Sequence, residues 1–429
     1  MSPTWTNWPG DQICAPSVIA RPMSEAELVD LVAQAAQRGQ RVRAVGSGHS
    51  FTDIACTDGV MIDMTGLQRV IKTESPATGL VTIEGGAKLR TLGPQLARLG
   101  LGLENQGDVD PQSITGATAT ATHGTGARFQ NVSACIVSLR LVTASGDVVS
   151  LSSDDDYLAA RVSLGALGVI SQVTLKAVPL YTLHRTDRKR SLAETLERLD
   201  EFVNGNDHFE FFIFPHANTA LTRTMRRSDQ EPKSTAGRKR MISENIENGG
   251  LNLICQAGRR FPATAPRLNR LMTNLMSSST VVDRAYKVFA TQRKVKFTEM
   301  EYAIPRTHGP EALQRVIDVV RRRNLPVMFP IEVRFSAADD AFLSTAHGRD
   351  TCYIAVHQYS GMEFETYFRA VEEIMTEYAG RPHWGKRHYQ TAATLRELYP
   401  EWDRFAAVRN RLDPQRVFLN DYTQRVLGS

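Results

Sequence analysis

Residues 113–126 read Ser113-Ile114-Thr115-Gly116-Ala117-Thr118-Ala119-Thr120-Ala121-Thr122-His123-Gly124-Thr125-Gly126, and twelve of the fourteen are small or hydroxylated. Such a run buries little apolar area, so it makes a poor packed strand. Its small side chains let backbone amides come close to another group, and its hydroxyls add hydrogen-bonding capacity. A Thr/Ala-rich helix or a low-complexity loop also fits. A second stretch, about seventy residues earlier, narrows the choice: Val45-Gly46-Ser47-Gly48-His49-Ser50-Phe51 follows a short strand at Val42–Val45. Its two glycines free the backbone to approach a ligand, with N–H groups able to bind phosphate oxygens. It is not a GxGxxG, and taken alone it also reads as a tight turn with a surface histidine. Two such stretches together point to a large phosphate-bearing ligand.

Bulk properties bound the rest. The 429 residues suffice for two or three domains with unstapled cores. At 42% hydrophobic and 23% charged, the composition is that of an ordinary soluble globular chain. Apolar runs are short and interrupted, so no transmembrane span is expected, and Met1–Gly10 lacks the look of a secretory signal. The five cysteines (14, 56, 135, 255, 352) are odd in number, widely spaced and without a CxxC, which argues against a disulfide framework or zinc site and for reduced thiols in a cytoplasmic protein. The net charge of +5 comes from separated clusters such as Arg238-Lys239-Arg240 and Arg321-Arg322-Arg323. Nothing interleaves them with aromatics, so no nucleic-acid partner is expected; a small anionic ligand fits better.

Along the chain, Ser24 opens a helix with a capping box to Glu27, Leu28, Leu31, Val32 and Ala35 repeat at helical spacing, and Gly39 ends it. Strands are predicted at Val60–Met64 and Val81–Glu84, a helix weakened by Pro94 at Leu89–Leu99, and a hairpin at Ile136–Val142 and Val148–Leu151. Pro179 marks a boundary. Beyond it we expect a capped helix Ser191–Val203, an aromatic strand Phe209–Phe214, a polar loop over Arg226–Met241, and strands at Val295–Ile304 and Pro330–Phe335. Two helical stripes follow, Leu313/Val316/Ile317/Val320 and Phe364/Phe368/Val371/Met375. The class is α+β, with a second α+β domain carrying helices on one face of an antiparallel sheet.

Three further segments carry chemistry. Leu164–Ile170 is a helix-to-strand turn or a loop closing over a cofactor. In Ile331-Glu332-Val333-Arg334-Phe335, strand alternation puts Glu332 and Arg334 on one face. An acid beside a guanidinium can hold a polyol or lactone, or be a surface ion pair of little worth. His383-Trp384-Gly385-Lys386 has the wrong spacing for a metal motif; Lys386 is a cation able to sit near a reacting oxygen, or a surface lysine.

In this order the segments, with Phe297-Thr298-Glu299-Met300-Glu301-Tyr302 and Phe418-Leu419-Asn420, resemble the aldonolactone oxidoreductases, a branch of the vanillyl-alcohol-oxidase-type FAD flavoproteins. The resemblance spans nearly the whole chain. It implies a two-domain FAD-binding fold: an FAD domain at 1–178, a cap with an antiparallel sheet at 179–380, and a segment at 381–429 returning to the FAD domain. It implies FAD attached covalently through its 8α-methyl carbon to His49; plant galactonolactone enzymes of this branch lack that histidine. The cofactor-binding positions it implies are Ala44, Val45, Gly46, Ser47, Gly48, His49, Ser50, Gly107, Asp108, Ser113, Gly116, Thr120, Ala121, Thr122, His123, Gly165, Ile170, His383 and Asn420. Glu332, Arg334 and Lys386 match the catalytic groups, with hydride transfer to flavin N5 and the two cations stabilising charge on the substrate oxygen. Asp108 and Tyr359 depart from the alditol-oxidase pattern and turn the expected substrate from an open-chain alditol to a sugar lactone, foremost L-gulono-1,4-lactone oxidised towards ascorbate. Gly107 sits at a position linked to oxygen access. The electron acceptor implied is cytochrome c, a quinone or dioxygen, in a protein that is cytoplasmic or peripheral to the membrane. The rival readings are an alditol oxidase and a non-catalytic flavin-binding redox sensor.

Overall fold

The computed structural model describes residues 3–73, 77–232, 236–291 and 293–429, with side chains from 248 onward in the helix Ala236–Arg260. After a short antiparallel pair, Trp5–Thr6 with Ile13–Cys14, comes a three-stranded parallel sheet, Val60–Asp63 lying between Val18–Ala20 and Val42–Val45. The connecting helix Glu25–Gln37 buries Leu28, Val32 and Ala35, and the Ser24 side chain accepts from the Glu27 N–H as a cap should. The Glu27 carboxylate, however, reaches back to the Met23 N–H at 2.8 Å rather than to Ser24. A five-stranded antiparallel sheet packs beside it, in the order Val148–Leu151, Ile136–Val142, Val169–Lys176, Leu80–Glu84, Val70–Thr73. The helix Leu89–Arg98 persists through Pro94 because Leu89, Leu92 and Leu96 are buried in this core.

The second half is built on an eight-stranded antiparallel sheet, ordered Ser279–Arg284, Thr182–Ser191, Thr219–Ser228, His208–Ile213, Ile331–Ser336, Thr351–Tyr359, Phe297–Pro305, Arg381–Pro382. The helices Gly309–Arg322 and Glu365–Glu377 bring Leu313, Val316, Ile317, Val320, Phe368, Val371 and Met375 onto one face of it. Ile331, Val333, Phe335, Met300, Tyr302 and Ile304 meet them from the sheet. The period of two therefore sends Glu332, Arg334, Glu299 and Glu301 to the other face. The last helices fold back onto the first half: Trp402, Phe405, Tyr422 and Val426 share a core with Val81 and Ile83, and the Val42 N–H donates to the Val417 carbonyl at 2.8 Å.

Two expected elements differ. The helix over 191–203 is broken at Arg198 into Leu192–Glu197 and Leu199–Gly205. The stretch 226–241 is not a loop: strand Thr219–Ser228 runs on through Arg226 and Arg227, and a helix begins at Ala236, with 233–235 outside the described residues. Backbone pairing with Thr182–Ser191 along its whole length carries that polar strand, and the helix is fixed further along by Leu251, Ile254 and Cys255 against the core. Among the described residues no helix is long and apolar enough to cross a membrane.

Candidate active site

The two small-residue stretches meet. A Cβ on Gly46 would overlap Ser113 Oγ, Gly48 turns the chain at φ +63°, and Ser47 Oγ donates to the Pro111 carbonyl. Between them runs a narrow channel of about 130 Å³. Ala44, Val45, Gly46, Ser47, Gly48, His49 and Ser50 line one side, and Ser113, Gly116, Thr120, Gly165 and Ile170 line the other. Four buried polar atoms on its walls, Arg43 Nε, Thr52 Oγ1, Ser163 Oγ and Gln112 Oε1, have no hydrogen-bond partner among the described residues. Buried polar atoms are normally satisfied, so a channel with orphaned hydroxyls and an orphaned amide fits a polar, phosphate-bearing chain such as that of FAD. Arg43 also borders it; its Nη1 and Nη2 donate to the carbonyls of Leu164, Phe418, Ile54 and Gly165, which ties three loops together around the channel.

His49 belongs to the channel and also to a much larger cavity of about 1270 Å³. The imidazole stacks on Trp8, with ring centroids 5.2 Å apart. Burial, with Arg90 and Lys88 nearby, pushes its pKa down to about 4. At neutral pH this ring carries a free lone pair.

The cavity's far wall is charged. Lys386 Nζ donates to the carboxylates of both Glu299 and Glu301. Each acid is backed by a histidine: His123 Nε2 lies 2.7 Å from Glu301, and His357 Nε2 lies 3.2 Å from Glu299. Nδ1 of each ring faces a carbonyl, Gly124 at 2.8 Å and Pro330 at 2.9 Å, so both nitrogens of each imidazole point at acceptors, one a carbonyl and one a carboxylate. Burial disfavours every charge here, yet the mutual attraction wins: Lys386 and His357 are shifted up, Glu299 and Glu301 down. His383 is the opposite case, since burial and the Lys386 charge hold it neutral, down to about 3. Donor atoms of His123, Glu301 and His383 lie within 4.8 Å of one another. Lys386 already occupies Glu301, so a metal cation would meet an ammonium there.

Glu332 and Arg334 form an ion pair on this wall, and Arg334 Nε donates to Glu210 at 2.9 Å. Asp108 completes the group, 2.6 Å from Arg293 and 3.5 Å from Arg334. Burial opposes ionisation of Asp108, but Arg334 and Arg293 outweigh it and keep it a carboxylate. The Asp108 charge is therefore taken up by two arginines and is not presented bare to a substrate. Glu332 is pushed up to about 7, by burial first and by Asp108 and Glu210 in addition, against the pull of Arg334. It is a carboxyl group able to exchange a proton near neutral pH.

Of the positions expected to hold cofactor or substrate, Gly107, Asp108, Thr122, His123, His383, Glu332, Arg334 and Lys386 are brought together on the cavity. Three residues are not. Tyr359 lies behind the wall, its hydroxyl donating to Asn252 at 2.9 Å, and is not among the lining residues. Ala121 is buried in the core, with φ +58°. Asn420 borders neither space; its amide donates to the carbonyls of Asp53, Ile54 and Cys56 and holds that loop beneath the channel. Sequence reading missed Trp8, Arg43, Glu210, Arg293, His357, Glu299 and Glu301 as site residues. For the two acids a signal existed: the alternation applied to Ile331–Phe335 also puts Glu299 and Glu301 on one face of their strand.

A polar channel that opens, at a neutral histidine, onto a cavity holding paired cations and carboxylates defines an FAD-dependent oxidoreductase of two-domain α+β architecture. The fold agrees: the chain superposes on cholesterol oxidase of B. sterolicum with a TM-score of 0.85 over 100% of this chain and 97% of that one, at 19% identity. Residues 16–152 match the FAD binding domain family and residues 173–426 the D-arabinono-1,4-lactone oxidase family. The chain is 82% identical, over 100% of both chains, to L-gulono-1,4-lactone dehydrogenase of Mycobacterium tuberculosis. It is 34% identical to L-gulonolactone oxidase of Bos taurus over 98% of this chain and 97% of that one. The chain belongs to the aldonolactone oxidoreductase family.

Proposed function

We propose that this protein oxidises L-gulono-1,4-lactone at C2, giving the 2-keto lactone that tautomerises to ascorbate, with FAD linked covalently to His49. The observation that carries the reading is the neutral imidazole of His49 where channel and cavity meet, beside Ser50, Gln112 and Thr120, which also line both. The substrate class is supported by the names of the relatives that match over the full chain. In this reading residues 1–178 hold FAD, 179–380 form the cap and 381–429 return to the FAD domain.

When bound, FAD supplies the two-electron acceptor. The chain's own residues do the rest. His49, with an unprotonated ring nitrogen at the junction of channel and cavity, would be the residue that holds the flavin through its 8α-methyl carbon. Arg334 and Lys386 are two fixed cations on one wall, set to stabilise negative charge on the substrate oxygen without reorganisation. Glu332 orients Arg334 and, with a pKa of about 7, accepts the hydroxyl proton. Glu299 and Glu301 fix the position of Lys386. Electrons leave to cytochrome c, a quinone or dioxygen, and the protein works in the cytoplasm or at the membrane periphery. Anaerobic mixing with L-gulono-1,4-lactone, L-galactono-1,4-lactone and xylitol tests the reading. Rapid flavin bleaching by gulonolactone supports it, and bleaching by xylitol alone would make the protein an alditol oxidase.

A further inference from the structure

The cavity is closed on one side by the helix Ala236–Arg260 and the helix Ala265–Leu275, which contribute Leu251, Ile254, Met272, Leu275 and Met276 to its lining. The outer side of the same pair is also apolar. Eight large hydrophobic residues are exposed among the described residues, and four of them, Leu253, Phe261, Leu271 and Leu275, fall here. Phe261 stands at the connection between the helices, and Leu271 and Leu275 are one turn apart on one helical strip. Single exposed apolar residues are ordinary; four on one helical hairpin are not.

The charge of this hairpin is strongly positive: residues 236–282 contain Arg238, Lys239, Arg240, Arg259, Arg260, Arg267 and Arg270 against Glu244 and Glu247, and no Asp or Glu falls between 248 and 282. The four arginines Arg259, Arg260, Arg267 and Arg270 are exposed, and none is paired with a carboxylate among the described residues. Arg267 precedes Leu271 by four positions, so cation and apolar group share a strip, while Leu268, Met272 and Met276 pack inward. An amphipathic helical pair that mixes exposed Leu and Phe with arginines lacking a carboxylate partner, Arg259 lying over Tyr359 and Arg260 over Phe261, has the composition of an interfacial membrane anchor.

We propose that this hairpin docks the protein on an anionic lipid surface, with Phe261, Leu253, Leu271 and Leu275 entering the headgroup region and the four arginines meeting lipid phosphates. Charge favours this occupant over the others. A second copy across a two-fold axis would bring one strongly basic segment against another, seven basic residues facing seven with only Glu244 and Glu247 on each side to answer them. A basic haem protein would be repelled in the same way. Leu275 is 65% exposed and also lines the cavity, so the docked hairpin sets the cavity mouth on the bilayer. A lipid-soluble electron acceptor would then enter without crossing water; that consequence, unlike the docking, rests on the oxidoreductase reading.

Flotation of the flavin-loaded protein with vesicles tests the docking. Binding to phosphatidylcholine vesicles containing phosphatidylglycerol, about ten-fold weaker on pure phosphatidylcholine or at high salt, is the expected result. The double variant Phe261→Ser/Leu271→Ser should stay in solution while keeping its flavin and its turnover with a soluble dye. The variant Arg267→Gln/Arg270→Gln should lose the preference for anionic lipid. The proposal is overturned if the unaltered protein fails to float with anionic vesicles, or if both variants float as it does. It is overturned too if the protein is a dimer that Phe261→Ser/Leu271→Ser converts to a monomer.

Discussion

The indole of Trp8 lies 19° from parallel to the imidazole of His49, at a centroid distance of 5.2 Å. The indole thereby fixes the ring plane of the residue that would carry the flavin. The denatured protein should therefore retain yellow fluorescence on a gel under acid. His49→Ala should release all flavin on acid precipitation, with thermal unfolding little changed, because the imidazole donates no hydrogen bond that the fold needs. Trp8→Ala leaves the nucleophile but frees its ring, so flavin incorporation should slow while the final linkage still forms. Flavin lost from unaltered protein on denaturation would remove the covalent assignment.

Lys386 shares its ammonium between Glu299 and Glu301, and this arrangement makes a graded prediction. Lys386→Ala removes the cation and leaves two buried carboxylates facing each other; kcat should fall about 10²–10³-fold, the size expected for one preorganised donor. Lys386→Arg keeps the charge but not the compact geometry and should recover only part of it. Glu301→Gln keeps the hydrogen-bond shape and removes one charge. It should lower kcat less than Lys386→Ala and leave KM for the lactone nearly unchanged. Steady-state kinetics with a soluble dye acceptor reads all three.

How far the sequence reached follows from which contacts are local. The two faces of Ile331–Ser336 were legible because side-chain alternation is a property of the strand itself. So were the channel walls, since glycine and small residues declare themselves wherever they pack. Arg226 and Arg227 were misread as loop because ladder pairing with a distant strand, and not apolar content, holds them extended. Trp8, Arg293 and Glu210 were out of reach: each joins the site across long sequence separations, Arg293 to Asp108 for example, and no spacing rule links such pairs. Asn420 matched by motif position, and only the hydrogen bonds to Asp53, Ile54 and Cys56 reveal that it supports the channel from below.

Glu332 makes the activity and the stability depend on pH in opposite senses. Its pKa rises on folding from 4.5 to about 7, so between those values the folded protein holds a proton that the unfolded chain has lost. Its contribution to stability is full below about 4.5 and is lost as pH rises through about 7. Catalysis needs the deprotonated form, so kcat should climb through that same range with an acid limb near 7. Glu332→Gln should flatten the acid limb, lower kcat, and remove the decline in denaturation midpoint between mildly acidic and neutral pH. An acid limb unchanged in Glu332→Gln would assign the proton transfer to another group.

Tyr359 offers a sharp negative test of where the substrate sits. Its hydroxyl donates to Asn252 on the helix Ala236–Arg260, and its ring packs with Phe329 behind the cavity wall. Removing the hydroxyl breaks one partly buried hydrogen bond, which costs about 1 kcal/mol of stability. Tyr359→Phe should therefore lower the denaturant midpoint slightly and leave KM for the lactone as it was. Asp108→Asn, in contrast, removes the charge that pairs with both Arg293 and Arg334. Arg334 would then be held by Glu210 and Glu332 alone, and KM and kcat should both worsen. If Tyr359→Phe instead raised KM several-fold while stability held, the lactone would have to reach beyond the wall formed by Phe297 and Phe329, and the cavity would have to open there when substrate binds.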